Sequence, residues 1–327
     1  MPGDRLSFQE RCEIHRGLRD DLSYREIGLR LGRSASTVWR EVDRNGGRGS
    51  YRPRYAQGRW NRTKRRPRTF RLETNRRLAR TVERRLAERW SPEQVAERLR
   101  RDHPGDARWW VSAETIYHSL FVQGRGGLRD ELRVHLRARK RRRRDGGDGR
   151  GLLRDMVNIS ERPAEAADRA VPGHWEGDLI VGGDGRSALG TLVERSTRYV
   201  LLFALREDHT AEATREALAR TVRTLPTHLR RSLAWDQGKE MAQHKQFTID
   251  SGLQVYFCAP ASPWQRGSNE NTNGLLRQYF PKGTSFVDIT DAEVRRVAAQ
   301  LNGRPRKTLG WDTPAEAYAK TFVAMTA

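Results

Sequence analysis

Cysteine is almost absent: a chain of 327 residues has two, Cys12 and Cys258. They lie far apart, with no CxxC spacing and no Cys/His companions. A zinc finger or disulfide framework is thereby excluded, and a reducing compartment fits. Long apolar runs are missing too. The longest, such as residues 199–205, are strand-length and far short of a membrane span. No signal-peptide core follows Met1, and no basic helix with a strong apolar face offers itself to anionic lipid. The expectation is a soluble, intracellular protein without a membrane partner.

Acid is scarce at one end only. The chain has 63 Lys+Arg against 41 Asp+Glu, a net charge of +22. Residues 1–150 hold 40 of the basic and 20 of the acidic side chains, so nearly all the excess is in the first half. Such asymmetry points to a polyanion, most simply nucleic acid.

The first half reads as helical. Phe8, Cys12, Ile14 and Leu18 recur at roughly helical spacing. Ser23 to Glu26 is a capping box opening a second helix, with Ile27 and Leu31 on its buried side, and Gly32 ends it. Ser34 caps a third helix through Val38, Trp39 and Val42. This is a helix-turn-helix whose third helix would present Ser34, Ser36, Thr37, Arg40 and Arg44 to the major groove. Trihelical units also serve as protein-interaction modules. Residues 51–75 begin with YRPRYAQGRWNRTKRRPR, which reads as a poorly structured basic arm that tracks phosphates, or a solvated linker. A second helical unit spans 76–136: Ser91 to Gln94 is another capping box with proline at the first helical position, and Ser112 caps a later helix through Ile116 and Leu120. It is a second DNA-binding unit or a structural spacer. In residues 137–144 seven of eight side chains are basic, and glycines follow; 137–165 is expected as a linker. A nuclear localisation signal has the same composition.

From residue 166 the pattern alternates. Strands are expected at 174–181, 188–194, 199–205, 233–236 and 254–258, with helices at 210–225 and 239–250, giving an α/β sheet with helices on its faces. Residues 262–277 (SPWQRGSNENTNGLLR) form a proline turn running into a helix, with Ser268 as N-cap and Glu270 in the first turn. Arg277 follows Glu270 by seven residues, about two turns, so the two share a face. A surface helix with ordinary charges would read the same way. Asp178 lies inside a strand, Asp236 at a strand end, and Glu270 in this helix. Carboxylates brought together repel unless a cation neutralises them, and oxygen ligands without His or Cys favour Mg²⁺ or Mn²⁺. Glu176, two residues from Asp178, competes as a ligand, and His174 and His209 are candidates to line the site.

Asp178, Asp236 and Glu270, with the basic residue seven beyond the glutamate, resemble the DDE signature of transposases and retroviral integrases. More narrowly, VPGHWEGDLIVG, TLVERSTRYVLL, WDQGKEMAQH, SPWQRGSNENTNGLLRQYFPKGT and LNGRPRKTLGWDTPAE are similar to transposases of the insertion sequence thirty family. The likeness covers nearly the whole chain, least clearly residues 125–160. It implies a multidomain protein: all-α helix-turn-helix units, then an α/β ribonuclease H-like core over 166–327. It implies two Mg²⁺ or Mn²⁺ ions held by Asp178, Asp236 and Glu270, and phosphates held by Arg277 and Lys282. Trp264, Gln265, Asn269, Asn271 and Asn273 would shape a DNA-facing loop. Expected partners are double-stranded DNA, both the element's terminal inverted repeats and the target, and further copies of the chain, at least a dimer. The expected location is the bacterial cytoplasm, associated with the nucleoid. A DNA-binding regulator with a decayed core, and a ribonuclease acting on hybrids, are the rival readings.

Overall fold

A computed structural model describes residues 6–65, 71–121, 153, 155–168, 170–259, 262, 265 and 267–323. The basic run at 137–144 and Trp264 lie outside these. The chain divides into two compact units, Met1–Thr69 and Phe70–Ala327.

The first unit holds α1 (Phe8–Arg19), α2 (Tyr24–Leu31), α3 (Ala35–Arg44) and α4 (Pro53–Arg65). Ser7, Ser23 and Ser34 cap the first three by accepting a backbone N–H three residues on. Gly32 ends α2 at φ 62°, a left-handed conformation that suits glycine because it lacks Cβ. Ile14, Leu18, Ile27, Val38 and Val42 form the core, and Phe8 is left exposed. The irregular arm expected from residue 51 is instead helical. Tyr51 and Ala56 bury in this core, and Gln57 accepts a hydrogen bond of 2.7 Å from Arg11. Three inward contacts are enough to order a segment whose composition is otherwise that of a solvated arm.

The second unit opens with α5 (Arg71–Thr74), α6 (Arg76–Ala87), α7 (Pro92–Asp102) and α8 (Ala113–Phe121). Ser91 and Gln94 close a capping box around Pro92, and Ser112 Oγ accepts from Thr115 N. Leu78, Val82, Leu86, Val95, Leu99, Ile116 and Leu120 pack together between them.

The sheet domain follows: α9 (Glu165–Asp168), β1 (His174–Val181), β2 (Ala188–Glu194), β3 (Val200–Leu205), α10 (Ala211–Arg223), β4 (Ser232–Trp235), α11 (His244–Ser251), β5 (Gln254–Phe257), α12 (Gly267–Leu276), α13 (Asp291–Asn302) and α14 (Pro314–Val323). Strand order is β3-β2-β1-β4-β5, antiparallel through the first three and parallel from β1 to β5. This is the ribonuclease H-like order that the resemblance implies. Trp175, Leu192, Leu218, Trp235 and Phe247 fill one face of the sheet, and Ile180, Leu189, Leu276, Phe286 and Val297 fill the other. Side chains alternate along a strand, so Glu176, Asp178 and Ile180 share the face covered by α12. The helix expected over 239–250 is two pieces, a 3-10 turn at Lys239–Met241 and then α11. The end of the expected linker belongs to this domain: Phe257 N donates to Val157 O (2.8 Å), and Arg162 Nε to Ser232 Oγ (2.8 Å).

The α5–α8 bundle docks on the sheet domain. Arg98 grips Glu316 of α14 with two bonds of 2.6 Å, Arg101 pairs with Asp312 at 2.5 Å, and Gln94 donates to Pro305 O at 2.8 Å. Among the described residues no helix is long and apolar enough to cross a membrane.

Candidate active site

Two of the aspartates belong to neighbouring strands, Asp178 in β1 and Asp236 directly after β4, which run side by side. The parallel register pairs His174 with Ser232 and Glu176 with Ala234. Asp178 is two residues beyond Glu176 in β1, and Asp236 is two beyond Ala234, just past the end of β4. Both are partly exposed. Gly177 leaves room for the neighbouring strand: a Cβ there would lie 2.0 Å from the indole of the fully buried Trp235, the residue before Asp236. Asp236 Oδ1 accepts from Gly238 N (3.2 Å), which closes the turn after β4.

The third acid arrives on α12, which packs over β1 and β2. Asn273 Nδ2 donates to Asp178 Oδ2 at 2.7 Å. Glu270 is one helical turn before Asn273, on the same side of the helix, and is exposed. Asn269, directly before Glu270 and about one turn before Asn273, is 1% exposed and accepts from the Thr191 hydroxyl of β2 at 2.9 Å. Asn269 and Asn273 thus fasten the helix to the sheet instead of shaping a DNA-facing loop; Asn271 is exposed.

Glu176 explains how this helix is held. It is fully buried, takes Arg195 Nη1 at 2.6 Å on one oxygen, and with the other accepts from Ser268 N (3.1 Å) and Asn269 N (3.2 Å). A carboxylate at the first backbone N–H groups of a helix is favoured by both hydrogen bonding and the helix dipole. Ser268 is therefore not the N-cap; it lies inside the first turn of α12, and the cap's work is done by a side chain 92 residues upstream. Glu176 is engaged here and is not placed as a cation ligand. The turn between β2 and β3 supplies the cations. Buried Glu194 accepts from Thr197 N and Oγ1, both at 2.6 Å, and the turn so formed aims Arg195 at Glu176 and Arg198 at the Ser268 hydroxyl. Burial and the charge of Arg195 push the Arg162 guanidinium down to about 10.

Arg277 follows α12 and is half-buried, and Lys282 stands exposed in the next loop. That loop is pinned to the β1–β2 hairpin: Gly183 N donates to Thr284 O (2.9 Å), and Asp184 accepts from Ser187 and Ser285. Those bonds hold the Asp184 carboxyl below its usual range. Neither histidine lines the site. His174 is buried at the start of β1 between Ser232 Oγ (2.7 Å) and Glu165 (3.2 Å), and His209 bonds to Arg186 O (2.7 Å). In the first unit Ser36, Arg40 and Arg44 share an exposed face of α3, with Trp39 beside them at 49% exposure. Ser34 and Thr37 are tied to each other by the cap (2.9 Å between hydroxyls).

The donor set around Asp178 and Asp236 is carboxylate oxygen, which suits a hard divalent cation. Among the described residues no three acidic, His or Cys side chains converge closely enough to hold one ion. Glu270 thus stands near the aspartates without completing a ligand cluster.

A mixed sheet in this order, an aspartate in β1 and another just past β4, and a glutamate on a helix laid across the sheet define an integrase-type core that follows a helix-turn-helix unit in sequence. Family models agree: a helix-turn-helix domain matches residues 3–45, and an integrase core domain matches residues 168–263. The transposase of insertion sequence element IS30C of Escherichia coli is 45% identical over 318 residues, covering 95% of this chain and 82% of that one. The transposase of IS1086 of Cupriavidus metallidurans is 43% identical over 330 residues, covering 97% and 95%. Among solved structures, the catalytic core domain of BIV integrase aligns with a TM-score of 0.36 at 15% identity, over 47% of this chain and 99% of that one. The chain belongs to the IS30 family of transposases.

Proposed function

We propose that this transposase cuts DNA at the ends of its insertion sequence and joins the freed 3′-hydroxyl to target DNA, with Asp178, Asp236 and Glu270 as the ligands of two divalent ions. The observation that supports the reading is the parallel pairing of β1 with β4, which puts Asp178 in one strand and Asp236 just past the end of its neighbour. Carboxylates brought together there would need a neutralising cation. When bound, such ions activate the attacking oxygen and stabilise the leaving one. The chain's own residues do the rest. Asn273 donates to Oδ2 of Asp178 and Leu179 N to Oδ1 (3.1 Å), which together fix the carboxylate. Glu270 supplies the third carboxylate from α12. Arg277 and Lys282 neutralise phosphates flanking the scissile bond. The exposed face of α3 reads the terminal inverted repeats through Ser36, Arg40 and Arg44, and α8 contributes as a second reader. Joining two ends calls for at least two copies of the chain.

The test is cleavage and joining on duplex DNA carrying the element ends, with Mg²⁺, comparing the wild type with Asp236→Asn. The wild type is expected to nick and join. The variant is expected to bind the same DNA and do neither. Wild-type protein that binds but performs no chemistry once assembled would leave a DNA-binding regulator as the better reading.

A further inference from the structure

A cleft of about 290 Å³ lies outside the site just described, between the α6–α7 junction and the chain that follows α13. Asn271 and Leu275 of α12 form its floor. Asn271 follows Glu270 directly, about 100° further round the helix, so the cleft opens beside the face that carries Glu270 and Asn273. Among the described residues that line it, Arg89, Arg304, Arg306 and Lys307 are cations, and the one acid, Glu93, pairs with Lys307 at 3.0 Å, leaving a net positive lining.

Two of its walls have unusual backbone. Arg89 (φ 64°) and Trp311 (φ 71°) sit in the left-handed region that bulky residues rarely enter. Arg89 occupies the position after the C-cap of α6, where glycine is usual and would serve the turn. Its guanidinium instead stacks 4.5 Å from the centre of the Tyr279 ring and donates to Gln278 O, which props that wall against the segment following α12. Trp311 stands across the cleft with the Lys307 ammonium 6.0 Å above its ring. Strain of this kind collects at ligand sites, where the rest of the fold compensates for it. Cations beside an aromatic face suit one class of ligand well, a nucleotide whose phosphate meets the cations and whose base stacks on the ring.

We propose that this cleft holds one nucleotide of the DNA strand leading away from the scissile phosphate, with its phosphate against Lys307 and Arg306 and its base on Trp311. The assignment rests on the active-site reading above. It makes the docked α5–α8 bundle part of the DNA path, since Arg89 comes from the bundle and the other three cations from the sheet domain.

The test uses the full chain and end DNA in a chelator, so that binding is read without chemistry. The Lys307 side chain is 75% exposed, so Lys307→Ala leaves the fold intact, and Trp311→Gly keeps the left-handed backbone while removing the ring. Loss of one phosphate contact is expected to weaken binding several-fold and to make the plot of log affinity against log salt shallower by about one unit. A photoreactive pyrimidine placed within a few nucleotides of the cut is expected to crosslink to Trp311 in the wild type and to lose that crosslink in Trp311→Gly. An unchanged salt slope in Lys307→Ala, or crosslinks confined to α3 and α8, would overturn the assignment. Both readouts work on uncut DNA. A protein that binds in this way but never cuts would refute the proposed function alone, whereas an active enzyme with an unchanged slope would refute the cleft alone.

Discussion

Glu176 shows how a residue's meaning depends on what the fold brings to it. In the sequence it is an acid two positions from Asp178, and nothing local separates a cation ligand from a helix anchor. Its partners, Arg195 and the amides of Ser268 and Asn269, are 19, 92 and 93 residues away, so its role is legible only once β1 and α12 meet. Glu176→Ala would leave Arg195, 12% exposed, without its partner inside the protein. Breaking a buried pair from one side costs about 3–5 kcal/mol, and a thermal or urea melt is expected to show a loss of that size. Glu176→Gln, which keeps the shape, is expected to melt closer to the wild type, while turnover of bound DNA falls because α12 and its Glu270 are less well fixed. His174 makes a prediction about pH. Burial, then Arg162, hold its imidazole below the usual pKa, so the folded protein keeps it neutral. In the unfolded chain it takes a proton below about 6.5. Stability is therefore intact above that value and is lost as pH falls through it towards the folded pKa. Urea midpoints at neutral and mildly acid pH should fall less in His174→Gln than in the wild type.

At the scale of elements, the features that could be read in advance were those written locally. The caps at Ser23, Ser34 and Ser91, the Gly32 stop and the strand β1 are carried by neighbouring residues, and each is found where the spacing puts it, whereas the Ser268 cap is not. Helix α4 was hidden because its order comes from Tyr51 and Ala56 meeting α1, while its composition is that of a solvated arm. The break before α11 likewise has no strong local mark. Asp178 and Asp236 could be singled out as acids in and after strands, but that β1 and β4 are neighbours is specified by no local pattern. Gly177 leaves the room that lets the Trp235 indole lie against β1. In Gly177→Ala a methyl would meet the Trp235 indole, and overpacking a filled core costs about 1–3 kcal/mol. Because the displaced strand carries Asp178, strand cleavage should drop further than the melt alone accounts for; a variant that loses stability with full cleavage by its folded fraction would show the register tolerates the shift.

For the whole molecule, the chief departure from a chain of separate modules is the docking of α5–α8 on the sheet domain. Arg98 anchors it, and that guanidinium pulls the Glu316 carboxyl down to about 2. The bidentate contact is thus retained at neutral pH and weakens only as pH falls from about 4.5 towards 2. Arg98→Ala is expected to release the bundle while each part keeps its own core. Limited proteolysis should then cut between α8 and the sheet domain faster than in the wild type, and equal rates would show the remaining contacts suffice. Docking also bears on the DNA itself. If α8 is the second reader proposed above, a duplex seated on it would meet Asp178 by a route that the protein sets, because α8 and the sheet domain belong to one compact unit. The distance between the stretch that α8 contacts and the bond that is cut would then be a property of the protein, counted out in base pairs. Five pairs inserted between them, about half a turn of the double helix, would carry the bond to the far side of the duplex with every base of the recognition sequence still in place.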